Sequence, residues 1–266
     1  MTDEWLGERI VRGLDELPVP PPPPMRFKDR KRIRGVMLLP GIAAAAIALL
    51  FVATRVGGLA GQTLFDGRPG AEYRDDFGSP TIDRGHWDYF AIGIGPAIDA
   101  VNGRVEVTIP ATTHADPGHT ISDGHIVTRC QAHGDYDVRI DYALLEWPAN
   151  NGVYLQLGAA PPIQDAIFRT SPQDAYQAVV GGAIGRTLPS TDTTGTLRLT
   201  RVASTITAYV LESGTWVQLA SGASTTADVA FQINVNAEEG RFQHKTIRVA
   251  FDNFSLRADK LICPGS

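Results

Sequence analysis

Three stretches of this 266-residue chain carry side chains whose types and spacing could do chemistry. The first is YDVRIDYAL, residues 136–144, where Asp137, Arg139 and Asp141 alternate with apolar positions. On a strand, residues two apart share a face, so these three would stand in one row. Two aspartates split by an arginine read as an outward polar row rather than an acid–base pair. The second is HADPGHTISDGH, which places His114, Asp116, His119, Asp123 and His125 within twelve positions. Histidine and aspartate suit a divalent transition metal. The H-x4-H and H-x5-H spacings match no strong zinc pattern, and the segment reads as a long polar loop. The third is a scattered set of hydrogen-bonders, Tyr154, Gln156, Gln177, Gln232 and Asn234, at polar positions of alternating runs. If their strands shared a sheet with Asp137, Arg139 and Asp141, the floor so formed would suit a ligand rich in hydroxyls, with Tyr154 as a stacking ring. An ordinary solvated sheet face gives the same alternation. No G-x-S-x-G, H-E-x-x-H or phosphate-binding glycine loop occurs.

The elements that must position these residues are short strands. Tyr136, Val138, Ile140, Tyr142 and Leu144 face one way along the first stretch. Val153, Leu155 and Leu157, then Val229, Phe231, Ile233 and Val235, then Ile247, Val249 and Phe251 repeat the pattern. TLRLTRVASTITAYV turns near Ala203-Ser204 and YVLESGTWVQLAS at Ser213-Gly214, as in two hairpins. Many strands with one apolar and one polar face predict two antiparallel sheets packed face to face over residues 73–266, larger than an immunoglobulin sandwich and suited to a jelly roll. Trp87, Trp147 and Trp216 each adjoin a turn and a strand, as packing residues do.

Upstream, Val36–Thr54 is an uncharged run of 19 residues. As a helix it would span about 28 Å, close to the thickness of a bilayer's hydrocarbon core. Six Lys/Arg precede it closely and only Arg55 follows, which predicts a single-pass anchor with residues 1–35 cytoplasmic and the C-terminal domain extracytoplasmic. Glu4–Leu17 has an apolar stripe at helical spacing, followed by a proline-rich spacer and the basic flank. Residues 55–72 are glycine-rich and read as a linker. The net charge of −5 divides into +2 over residues 1–35 and −7 beyond, so the outer part shows no nucleic-acid footprint. The two cysteines, Cys130 and Cys263, both fall on the predicted outer side, where one disulfide could persist.

The order of several short motifs resembles bacterial laminin-G-like, concanavalin A-like jelly-roll domains. They are Asp75-Asp76-Phe77, Ile82 with Trp87, Asn102-Gly103-Arg104 before VEVTI, the run GDYDVRIDYALLEWPANNGVYLQLG, the double hairpin and TIRVAFDNFSL. The resemblance covers about residues 75–258. It implies a structural calcium tying the first strand to the last through Asp75 or Asp76 and Asp252. The superfamily includes lectins, carbohydrate-binding and adhesion modules and some glycoside hydrolases, and the hydrolases carry E-x-D-x-x-E or E-x-D-x-E on one strand. Neither pattern occurs here. The expectation is therefore a non-catalytic, membrane-anchored module for a glycan or cell-envelope ligand, with Asp137, Arg139, Asp141, Tyr154, Gln156 and Gln177 at its site. Alternatives are an anti-sigma-like transmembrane sensor and an accessory subunit contacting protein partners in a membrane complex. A glycoside hydrolase is disfavoured.

Overall fold

The computed structural model describes residues 70–160 and 165–264. The anchor span, the N-terminal apolar stripe and the proline-rich spacer lie outside the described residues. Among those described, no helix is long and apolar enough to cross a membrane.

Sixteen strands make up the described residues: β1 (Ala71–Asp75), β2 (Trp87–Ile92), β3 (Ala97–Ala100), β4 (Val105–Ile109), β5 (Ile121–Thr128), β6 (Gln131–Glu146), β7 (Val153–Ala160), β8 (Ala166–Thr170), β9 (Ala175–Val180), β10 (Ala183–Ile184), β11 (Leu188–Pro189), β12 (Thr194–Val202), β13 (Thr205–Glu212), β14 (Thr215–Ala223), β15 (Ala230–Glu238) and β16 (Ile247–Ile262). They form two antiparallel sheets. Sheet A runs β14-β13-β12-β6-β16-β4-β3, with β1 also on β16, and sheet B runs β10-β9-β8-β7-β15-β5-β2, with β11 on β9. This is the expected all-β jelly roll, and its first strand begins at Ala71, inside the segment read as linker.

The inward rows are those that the alternation foretells. Tyr136, Val138, Ile140 and Tyr142 of sheet A are buried against Val153, Leu155, Leu157, Phe231, Ile233 and Val235 of sheet B. Each large side chain so buried contributes about 1.5–3 kcal/mol. Both hairpins turn where expected: Ala203, Ser213 and Gly214 have positive φ, as tight turns with strand-matching twist require. Trp87 is fully buried, and its indole N–H donates to Asp75 Oδ2 at 2.7 Å, tying β2 to β1. Cys130, in the β5–β6 turn, is joined to Cys263 just beyond β16.

One assignment has to be corrected. The second half of HADPGHTISDGH, read above as loop, enters β5, which pairs with both β2 and β15. Its inward positions are Ser122, Gly124, Ile126 and Thr128, too small and polar to show an apolar stripe. Gly124 sits where a Cβ would lie 2.5 Å from Val107 Cγ1, so the two sheets approach closely there.

Candidate functional site on the outer face of sheet B

Register decides which polar residues meet. Across sheet B, Phe90 (β2) is opposite His125 (β5), His125 opposite Asn234 (β15), Asn234 opposite Gln156 (β7), Gln156 opposite Phe168 (β8), and Phe168 opposite Gln177 (β9). A parallel row holds Ile92, Asp123, Asn236, Tyr154 and Thr170. Opposed residues in antiparallel strands project to the same side, so the two rows form a track across six strands, roughly 24 Å long at about 4.8 Å per strand. Two adjoining hollows, of ≈ 390 and ≈ 240 Å³, lie along it with Tyr154 lining both.

The electrostatics of this face are unusual for a sheet surface. Asp123, Gln156, Gln232, Asn234 and Asn236 are all buried within the face. Asp123 Oδ1, His125 Nδ1, Gln232 Nε2, Asn234 Oδ1 and Asn236 Nδ2 have no hydrogen-bond partner among the described residues. Leaving a shielded polar atom unpaired costs about 1–3 kcal/mol, so a run of them along one track is a collective cost that a bound polar ligand would remove. Aromatic surface flanks the amides. Phe90, 47% exposed, stacks on the His125 ring at 4.8 Å, and Phe168 meets Tyr154 edge-on at 5.6 Å. Burial, and then the negative charges of Glu238 and Asp123, push the Tyr154 hydroxyl up to about 12, so it remains a proton donor at neutral pH. Gly158 lies next along β7: a Cβ there would stand 2.7 Å from Gln156 Nε2, so its bareness gives that amide its place.

The residues expected at one site are divided between the two sheets. Tyr154, Gln156 and Gln177 lie on the track, with Gln177 bonded to Gln173 at its far end. Asp137, Arg139 and Asp141 do not. Strand β6 belongs to sheet A, and its inward Tyr136, Val138 and Ile140 turn those three toward the opposite side of the sandwich. There Asp137 accepts two bonds from Arg139 (3.0 and 2.7 Å) and two from Arg198 (2.9 and 2.7 Å). The Trp216 ring lies 5.0 Å from the Arg198 guanidinium and 5.4 Å from that of Arg139. Burial raises the Asp137 carboxyl, but the bonds from Arg139 and Arg198 outweigh it and hold the group below the usual aspartate range. Asp141 is likewise engaged, by the Thr196 hydroxyl at 2.6 Å and the Asn253 amide at 3.1 Å. These three are engaged within sheet A, so the single floor expected from sequence is divided between the outer faces of the two sheets.

The calcium residues also have protein partners. Asp75 receives Trp87 Nε1–H, Tyr73 O–H and Phe77 N–H, Asp76 receives Gly78 N–H, and Asp252 receives Asn253 N–H. Among the described residues, no group of three or more His, Cys, Asp or Glu side chains is arranged to hold a metal ion. The sequence reading places Asp123 and His125 as candidate metal ligands on a loop rather than as part of this face, and passes over Phe90, Phe168, Asn236 and Glu238 as site residues. The alternation of Gln232 and Asn234 continues through Asn236 to Glu238, and following it would have found Asn236 and Glu238.

The sequence matches no protein-family model and no curated protein. Solved structures do share the architecture. A sialidase aligns over 71% of this chain with 12% identity and a TM-score of 0.51, and the chain spans 18% of that protein's length. A GlcNAcα1-4Gal-releasing endo-β-galactosidase from Clostridium perfringens aligns over 70% of this chain and 62% of its own, at 13% identity and TM-score 0.52. A prokaryotic β-1,3-1,4-glucanase (lichenase) from a mouse hindgut metagenome aligns over 71% of this chain and 99% of its own, at 14% identity and TM-score 0.53. At such identities the likeness establishes the jelly-roll fold. It also overturns the expectation of a non-enzyme and of a purely ligand-holding module: that expectation rested on a missing one-strand carboxylate motif, and the structures built this way bear the names of glycan-cleaving enzymes.

Proposed function

We propose that the domain is a glycan-processing enzyme that receives a neutral polysaccharide chain across the outer face of sheet B. One observation carries the reading: the row of shielded, unpartnered amide, carboxylate and imidazole atoms flanked by Phe90 and Phe168. Sugars present fixed hydroxyls and apolar C–H faces, and this track offers amides for the first and rings for the second. No lysine lies in the two rows, and Arg241 at their margin faces Glu238, which supports a neutral over an anionic polymer. The glycan-cleaving neighbours support the same class of ligand. The anchor read at Val36–Thr54 would display this face outside the membrane, and a domain closed by a disulfide suits an oxidising compartment.

The test is incubation of the full-length protein with mixed-linkage β-1,3-1,4-glucan and with mucin glycans, measuring retention and new reducing ends. Retention that falls on Gln156→Ala or Phe90→Ala, with the melting temperature unchanged, is the expected result. Neither retention nor cleavage of any glycan would refute the reading.

A further inference from the structure

The two hollows on the outer face of sheet B are not alike. In the smaller one the polar side chains bond within the protein. Gln177 Nε2–H donates to Gln173 Oε1 at 2.7 Å, the Thr170 hydroxyl donates to Ala175 O at 3.3 Å, and Arg241 holds Glu238 at 3.2 Å. The larger one is lined by Asp123, His125, Gln232, Asn234 and Asn236, each with a shielded atom that has no hydrogen-bond partner among the described residues. An unmet donor or acceptor is costly, so the demand for a ligand is concentrated in one hollow of the two.

The open atoms form complementary sets. Asn234 Nδ2–H donates to Asn236 Oδ1 at 3.5 Å, which leaves Asn234 with a free acceptor and Asn236 with a free donor. Asp123 Oδ1 adds an acceptor and Gln232 Nε2 a donor. Asp123 is opposite Asn236 in the β5–β15 register, so an acceptor and a donor stand on opposed residues without bonding each other. A hydroxyl both donates and accepts, and satisfies the two kinds together. A carboxylate or sulfate only accepts and an ammonium only donates, so either leaves part of the set unmet. Phe90, stacked on His125, gives the same hollow an apolar wall for the C–H face of a sugar.

Charge adds a second filter. Asp123, its side chain 7% exposed, is the one acidic residue among the described residues lining the larger hollow; His119 and His125 line it too, and no lysine or arginine does. Its Oδ2 lies 3.6 Å from His125 Nδ1, beyond hydrogen-bond reach, so the carboxylate keeps its capacity for ligand hydroxyls. A hydroxyl donating to a carboxylate makes a charge-assisted bond, whereas an acidic sugar in the same place meets a like charge. Resting on the glycan-processing reading, we propose that the larger hollow is the specificity subsite of the track. It takes an uncharged sugar unit with free hydroxyls, and Asp123 is the residue that turns acidic units away. The smaller hollow guides the neighbouring part of the chain.

The experiment measures retention by the full-length protein of mixed-linkage β-1,3-1,4-glucan against the same glucan oxidised to the carboxylate at C6, and of desialylated against native mucin glycans. On whichever glycan is held, wild type should favour the uncharged form by about tenfold or more, and Asp123→Asn should narrow that ratio to about threefold or less. Gln232→Ala and Asn236→Ala should each weaken retention of the uncharged form by about tenfold; Gln173→Ala and Arg241→Ala, in the smaller hollow, should weaken it by less than about threefold. Should Asp123→Asn fail to fold, Asp123→Ser carries the same comparison. Three results would overturn the subsite and leave the glycan-processing reading standing: a charged form held as well as the uncharged one by wild type, a ratio unmoved in the Asp123 variant, or equal losses from the two hollows. Retention of neither glycan in either form would overturn that reading, and the subsite with it.

Discussion

On the outer face of sheet A, Asp137 sits under Trp216 with four hydrogen bonds from Arg139 and Arg198; on the outer face of sheet B, five shielded polar atoms have no partner within the described residues. Both faces bury polar side chains, charged ones on sheet A and chiefly amides on sheet B. The difference lies in closure: one network completes itself, the other leaves these atoms without a partner among the described residues. A saturated polar network specifies structure, whereas an unsaturated one on an accessible surface is strained until something binds, so the second is where function is to be sought.

The comparison breaks first at Asp137. Asp137→Ala should cost about 3–5 kcal/mol in chemical denaturation, since it takes the paired carboxylate and its two bonds away from the buried Arg198 guanidinium. It should leave glycan retention by the folded fraction intact. A variant as stable as wild type that no longer holds glycan would reverse the roles of the two faces. Next in size, reduction of Cys130–Cys263 should lower stability by about 2–4 kcal/mol, because it frees a chain closed over 133 residues. An unchanged melting curve under reductant would show that the strand pairings alone hold the terminus.

The acid response sharpens the same contrast. The folded Asp137 carboxyl lies below its unfolded value of about 3.9, so its contribution is complete above that value and is lost as pH falls through the folded one. The stability–pH curve of Asp137→Asn should therefore be flatter than wild type below about pH 4; equal slopes would contradict the ion pairing. The smallest effect belongs to sheet B. Asn234→Leu removes an amide whose Oδ1 has no partner among the described residues and whose Nδ2 makes only a 3.5 Å bond to Asn236 Oδ1, so stability should move by no more than about 1 kcal/mol, in either direction, while glycan retention is lost. A cost above about 2 kcal/mol would show the amide to be structural.

The sandwich was legible because β6, β7, β15 and β16 each alternate apolar and polar residues, and a period of two has one packing solution. Which polar rows share a face was not legible. YDVRIDYAL and VYLQLG look alike as strings, and only the pairing of β6 with β12 and β16, and of β7 with β15 and β8, sends Asp141 and Gln156 to opposite sides of the molecule. Strand β5 was hidden for a further reason. Ser122 and Gly124 occupy its inward positions because the neighbouring sheet comes close, so the apolar half of the alternation is missing where Asp123 and His125 supply the polar half. The non-catalytic expectation rested on a motif sought along a single strand, and the likeness of the fold to glycan-cleaving enzymes overturns it.

Strand β1 has a mechanical meaning. It is the point where the first 69 residues join the sandwich, and it is held by five residues paired against Ala258–Phe254 and by the Asp75–Trp87 bond. A pull applied through the N-terminal segment would load this short strand first. Past it the chain runs on to β2, an edge strand of sheet B paired only with β5, so the load would pass there next. The N-terminal segment is thus joined, through one short strand, to the very edge of the face whose rows begin at Phe90 and Ile92.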